Sequence, residues 1–210
     1  MTVRLNILTK PIIALVCLVS LHSCFLFPPT QNPTTGTLEP RIVSNLRPDS
    51  LSYLYFSFDS DTTIAPSLAA TDAWDIRLPH LSASSRAVDI LLNSGNQNPN
   101  GKTVGIVVDS TFDLLTTAPS DAMLRSEDTT SSNRIVSIDL FGKGMFTYNS
   151  SSRTITPNPQ KTLVLKTRTG KYVKVQFVNL YKDAASSPTM FTPLGYYRLR
   201  YVKNTTRQLK

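Results

Sequence analysis

The sequence predicts an all-β fold: antiparallel sheets, arranged as a sandwich or an open barrel, with only a few short helical turns. Three observations carry this. From Arg41 onward, short segments alternate apolar and polar residues at period two. Clusters of Gly, Pro, Asn, Asp and Ser separate them at short intervals. No 3.6-residue period persists beyond about two turns, and no strand–helix–strand unit is visible, which leaves antiparallel pairing.

Taken in order, Ser52 to Phe58 (SYLYFSF) alternates polar and aromatic residues, and Ala73 to Leu78 (AWDIRL) repeats the pattern up to Pro79. Ala87 to Asn93 (AVDILLN) and Lys102 to Asp109 (KTVGIVVD) flank the turn-dense Ser94 to Gly101, so Ala87 to Asp109 reads as a hairpin with a long loop. Phe112 to Arg125 reads as irregular, with one helical turn after Ser120, and Glu127 to Asn133 as a polar loop. Strands are expected at Val136 to Phe141, Met145 to Tyr148 and Arg153 to Thr156. Lys161 to Thr167 and Tyr172 to Leu180 flank Arg168-Thr169-Gly170, where glycine suits a positive φ. Tyr196 to Val202 (YYRLRYV) is the last expected strand, and no internal repeat appears.

The N-terminus reads differently. Arg4 and Lys10 form a basic start, Pro11 to Leu21 an apolar run, and Leu21-His22-Ser23-Cys24 a lipobox. The run is too short to span about 30 Å of hydrocarbon as a permanent helix. The expected domains are therefore a lipoprotein signal peptide over 1–23, a lipidated Cys24 with a Pro/Thr/Asn tether to residue 40, and a single β domain over 41–210. Cys17 leaves with the signal and Cys24 carries lipid, so neither of the two cysteines is left for a disulfide, a thiolate metal site or a cysteine nucleophile. The net charge of +8 falls to +6 without Arg4 and Lys10. The cations alternate with apolar residues, as on solvated strand faces, and do not form a nucleic-acid groove.

An enzyme is the weaker class. A hydrolytic triad or a zinc site would have to be built on His80 alone, and neither a nucleophile elbow, nor a Gly-rich phosphate loop, nor a D-x-D-x-D calcium loop occurs. A two-carboxylate glycosidase stays open, because the fold assembles such pairs.

Several landmarks occur in a telling order: YFSF; T-D-A-W-D-I; Asn93-Ser94-Gly95 to Gly101; F-D-x-x-x-x-A-P from Phe112 to Pro119; G-x-G-x-F-x-Y from Gly142 to Tyr148; L-x-L-K-T-R-T-G-K-Y-V-K-V-Q-F from Leu163 to Phe177; and G-Y-Y near the end. Over roughly Leu51 to Val202 the chain resembles the HmuY-like haem-binding lipoproteins of the Bacteroidetes outer membrane. The resemblance implies a non-enzymatic haemophore, lipid-anchored at the outer membrane on its cell-surface or periplasmic face. Such a protein captures haem, in some members from host haemoproteins, and passes it to an outer-membrane haem transporter. It further implies that side chains on two loops grip the iron, one loop after the A-P segment and one after the G-x-G-x-F-x-Y strand.

Here the first loop, Ser120 to Arg134, offers Met123 and no His, and the second, Asn149 to Pro159, offers neither. Met123 is therefore the expected axial ligand of haem iron, and Met145, or no protein group, the second. A thioether suits ferrous iron. Each has a plain structural reading beside it. A Met fills cores more often than it ligates, and this weighs most on Met145, between Gly144 and Phe146. His80 follows Pro79 as a turn histidine, and Met190 sits in a Pro-rich loop. Trp74, Tyr196, Tyr197 and Tyr201 read as core. Lys166, Lys171, Lys174, Arg198 and Arg200 read as solvated strand faces, one of which could meet a haem propionate. Two alternatives stand: a divergent HmuY-like surface lipoprotein that binds another ligand, glycan or protein in place of haem, and an enzyme or carbohydrate-binding β domain. The first acid after Cys24 is Glu39, which leaves the periplasmic face open.

Overall fold

A computed structural model describes residues 37–49, 52–85, 87–130, 132–141 and 144–210. The signal peptide, Cys24 and most of the tether lie outside the described residues.

Strand formation follows the alternation read above. Tyr53–Ser57 (β2), Thr62–Ile64 (β3), Ile76–Pro79 (β4) and Leu91–Leu92 (β5) make one antiparallel sheet in the order β3-β2-β4-β5. The second sheet has the order β1-β11-β10-β9-β6, from Arg41–Leu46 (β1), Val104–Val108 (β6), Thr162–Lys166 (β9), Tyr172–Tyr181 (β10) and Leu194–Asn204 (β11). Phe146–Asn149 (β7) and Thr154–Pro157 (β8) form a separate hairpin. All pairings are antiparallel. The remaining regular pieces are 3-10 turns at Pro66–Leu68, Asp121–Met123 and Lys182–Ala184. The turn expected after Ser120 is thus present.

The period of two fixes which side chains meet. In the five-stranded sheet Leu163, Leu165, Val173, Val175, Phe177, Tyr197, Leu199 and Tyr201 face a core shared with Phe56, Ile76, Leu78 and Leu92 of the other sheet and with Phe146 and Ile155 of the hairpin. Phe56, Phe58 and Tyr201 pack edge to face at 5.0–6.2 Å, a geometry that contributes about 0.5–1.5 kcal/mol per pair beyond burial. Their neighbours Val164, Tyr172 and Val202 point to the opposite face and meet Phe112, Ala118, Leu124 and Leu209 in a smaller cluster. Gly170 turns β9 into β10 with φ 85°, with open space where a Cβ would stand.

Three expectations are corrected. Ala87 to Asp109 is not a hairpin: β5 joins β4 in one sheet and β6 joins β9 in the other. The strand expected over Ala87 to Asn93 shortens to Leu91–Leu92, whose Leu92 N–H donates to the Glu127 carboxylate (2.9 Å). Val136 to Phe141 is no strand either. Val136 and Leu140 are buried, but the N–H groups of Asp139 and Phe141 donate to the side chains of Ser137 and Asp139, bonds that compete with a ladder.

The cations of the five-stranded sheet are also more engaged than solvated faces would be. Lys174 is buried, donates to the carbonyls of Phe112 (2.8 Å) and Leu115 (2.9 Å), and lies 4.3 Å from the centre of the Phe112 ring. Burial holds its ammonium pKa below the ordinary value. Arg200 covers the same ring at 4.3 Å while gripping Asp113 with two nitrogens. Lys166 pairs with Asp121 at 2.7 Å and Lys171 with Asp59 at 3.2 Å. Arg198 forms no ion pair among the described residues, and its Nε is buried without a hydrogen-bond partner.

Candidate functional site

Polar chemistry and apolar surface concentrate in two different places. The first is a buried polar knot where β4, β5 and the approach to β6 meet. Asn93 donates to the carbonyls of Thr71 (3.0 Å) and Trp74 (2.7 Å), and accepts from Asn98 (2.7 Å). The Asp75 carboxylate accepts from the Phe58 N–H (2.6 Å) and the Thr103 hydroxyl (2.8 Å). Burial pushes the Asp75 pKa up to about 6, against the lowering effect of those bonds. Glu127 accepts from the N–H groups of Leu92, Ile135 and Asp128, and burial again raises its pKa. Gly95 has φ 60°, and a Cβ there would strike the Glu127 carbonyl. Both carboxylate oxygens of Asp75 and of Glu127 have hydrogen-bond partners, so the arrangement staples loops.

The second place is a half-open cavity of about 600 Å³, within the roughly 300–1,000 Å³ of small-molecule sites. Four segments build it. Ala83 and Ser85 come from the loop after β4, and Leu140 and Phe141 from the irregular segment before the hairpin. Tyr148 and Arg153 come from β7 and the β7–β8 turn, and Met190 and Phe191 from the loop between β10 and β11. The hairpin is held over the core: the Tyr148 N–H donates to the Leu140 carbonyl (2.9 Å), and the Tyr181 hydroxyl accepts from the Ile155 N–H (2.9 Å).

The lining is aromatic, thioether and cationic. Phe141 and Phe191 are 79% and 83% exposed, large apolar side chains that burial in the core would otherwise claim. Phe141 packs edge to face on Tyr148 at 5.8 Å. Arg153, with φ 54°, forms no ion pair with a carboxylate among the described residues, in contrast to Lys166, Lys171 and Arg200. The cavity can therefore take an apolar ligand of small-molecule size that carries negative charge.

The sequence-expected ligands fall elsewhere. Met145 is 2% exposed and packs in the main core. Met123 is 55% exposed on the 3-10 turn, beside Leu124 of the smaller cluster. Neither lines the cavity. The Nδ1 of His80 lies 3.4 Å from the Pro48 carbonyl oxygen, next to a second depression of about 440 Å³ lined by residues that include Arg47, Pro48 and Tyr53. Met190, 41% exposed, lines the first cavity. Trp74 is buried, donates to the Ala69 carbonyl (2.9 Å) and packs on Tyr55 at 4.9 Å. Tyr197 and Tyr201 are buried, with hydroxyls on Pro79 (2.7 Å) and Asp61 (2.8 Å). The Tyr196 hydroxyl accepts from Arg47 (2.6 Å) on the surface. The cavity residues Phe141, Arg153 and Phe191 carried no motif, and the one available signal was an apolar Met-Phe pair inside a polar, Pro-rich loop.

No family model and no curated protein matches the chain. Solved structures similar to it include a candidate lipoprotein from Bacteroides fragilis, at 13% identity and TM-score 0.44 over 78% of this chain and 89% of that one. A candidate HmuY-like haem-binding protein from Bacteroides vulgatus matches at 15% identity and TM-score 0.45, over 78% and 90%. The apo form of the HmuY analogue of Tannerella forsythia matches at 13% identity and TM-score 0.44, over 82% and 96%.

Proposed function

We propose that this protein is a cell-envelope lipoprotein that binds haem in the cavity between the β7–β8 hairpin and the β10–β11 loop, and that it acts as a haemophore delivering haem to an outer-membrane transporter. The observation that carries this reading is the cavity wall itself: Phe141, Tyr148, Met190 and Phe191 around about 600 Å³, with the cation of Arg153 among them. Stacking and burial of a porphyrin face against these side chains supply affinity, at about 25 cal/mol per Å² of apolar surface removed from water. Arg153 supplies a partner for a propionate, a charge-assisted bond of the strong kind. The sequence supports the same reading through its order of HmuY-like landmarks and its lipobox.

The test is a haemin titration of the chain from Phe25 to Lys210. A saturable Soret shift is expected, and Arg153→Ala should weaken binding by about tenfold, the effect of losing roughly 1.4 kcal/mol. That variant keeps a residue with a Cβ at φ 54°, so the backbone is no more strained than before. A chain that leaves the Soret band of free haemin unchanged would remove haem as the ligand.

A further inference from the structure

We infer that Met190 is an axial ligand of the haem iron, supplied by the β10–β11 loop; this rests on the haem reading of the cavity. Among the described methionines and His80, Met190 is the soft donor in the cavity wall. Its local backbone is built to present it. The Thr192 N–H donates to the Thr189 carbonyl at 3.0 Å, closing a four-residue turn whose two central positions are Met190 and Phe191. The Thr192 hydroxyl accepts from the Thr189 N–H (2.9 Å), and the Thr189 hydroxyl from the Phe191 N–H (3.3 Å), so side chains brace the same turn twice more.

Central positions of tight turns are ordinarily taken by Gly, Asn, Asp or Pro, which serve the backbone and tolerate water. A Met-Phe pair there does neither and leaves Phe191 almost wholly in solvent. A flat ligand in the cavity resolves that: Phe191 gains a face to lie against, and the Met190 sulfur gains a metal. The bond is a simple coordination. The thioether sulfur gives a lone pair to iron, a water on the iron leaves where one was bound, and no electron changes hands. Thioether ligation favours the ferrous state, and a rigid turn lowers the ordering cost of making the bond.

The experiment compares ferric and dithionite-reduced spectra of the haem-loaded chain with those of Met190→Leu, Met190→His and Met123→Leu. The expected result is a reduced-state spectrum in the wild type that differs from that of free haem, a shift of its bands in Met190→Leu, bands at imidazole-type positions in Met190→His, and no change in Met123→Leu. Met190 is 41% exposed, so the leucine variant keeps its fold, with circular dichroism as the check. If the wild type binds haemin and Met190→Leu gives the same spectra in both redox states, the ligand assignment is wrong while the haem reading stands. If the wild type shows no Soret shift, both fall.

Discussion

The polar knot and the cavity are opposites in chemistry. The knot buries Asp75, Asn93, Asn98, Thr103 and Glu127 and gives their polar groups partners. The cavity exposes Phe141 and Phe191 and leaves the Arg153 charge without a carboxylate. One region spends polar side chains on holding two sheets together, and the other leaves apolar side chains uncovered. Some of the landmarks quoted from the sequence lie at or beside the first. The T-D-A-W-D-I segment supplies Asp75, the N-S-G loop supplies Asn93 and Gly95, and T-R-T-G-K supplies Thr167, Thr169 and Lys171, which hold Asp59 at the end of YFSF. Most recognisable residues here specify the scaffold, while of the cavity wall only Tyr148 belongs to one of those landmarks.

Three substitutions put this contrast at risk. The largest effect is expected from Asn93→Ala, which strips two donated bonds and one accepted bond from the interior: about 3–5 kcal/mol of unfolding free energy in urea, with haem affinity of the folded fraction unchanged. A loss below 1 kcal/mol would show that the knot does not hold the sheets.

Asp75→Asn comes next, through pH. The native carboxyl titrates at about 6, above the ordinary 3.8, so the folded state binds that proton more tightly. The resulting stabilisation is complete below about pH 4 and is lost as pH rises through 6, a swing of roughly 3 kcal/mol. Asparagine has no proton to lose. Compared with wild type, the variant should hold its stability between pH 4 and 7 more evenly in denaturation curves, and parallel pH profiles for the two proteins would refute the assignment.

The smallest stability effect belongs to Phe191→Ala. The ring is 83% exposed, so unfolding should move by less than about 0.5 kcal/mol, while haemin binding weakens. A stability loss of the size expected in the knot would mean that Phe191 packs in the core and does not serve the cavity.

The fold class was legible because alternation is a local property. Leu163 to Lys166 and Tyr172 to Phe177 show their inward faces in the sequence alone, and the structure pairs Tyr172 with Lys166 and Val175 with Leu163. The partition of strands between sheets was not legible. Asn93 and Asn98 look like turn residues, and only their long-range bonds to Thr71 and Trp74 reveal that they send β5 and β6 apart. Glu127 looked like part of a polar loop, yet its carboxylate accepts from the Leu92 N–H of β5, 35 residues away. The cavity was illegible for the same reason, since its walls come from four segments with no common motif.

The pairing of β1 with β11 has a consequence for how the chain reaches this state. Arg41, near the start of the described chain, finds its partner in Tyr201, and β11 lies between β1 and β10 with bonds to both. One of the inner strands of the larger sheet, β11, is therefore the last of its strands to be made. Pairing between such distant segments is slow to form. A chain emerging N-terminus first has β1 as an unpaired edge, and the Tyr197, Leu199 and Tyr201 side of its core missing, until about residue 204 has arrived. Completion of the larger sheet is thereby deferred until nearly all of the described chain has been made.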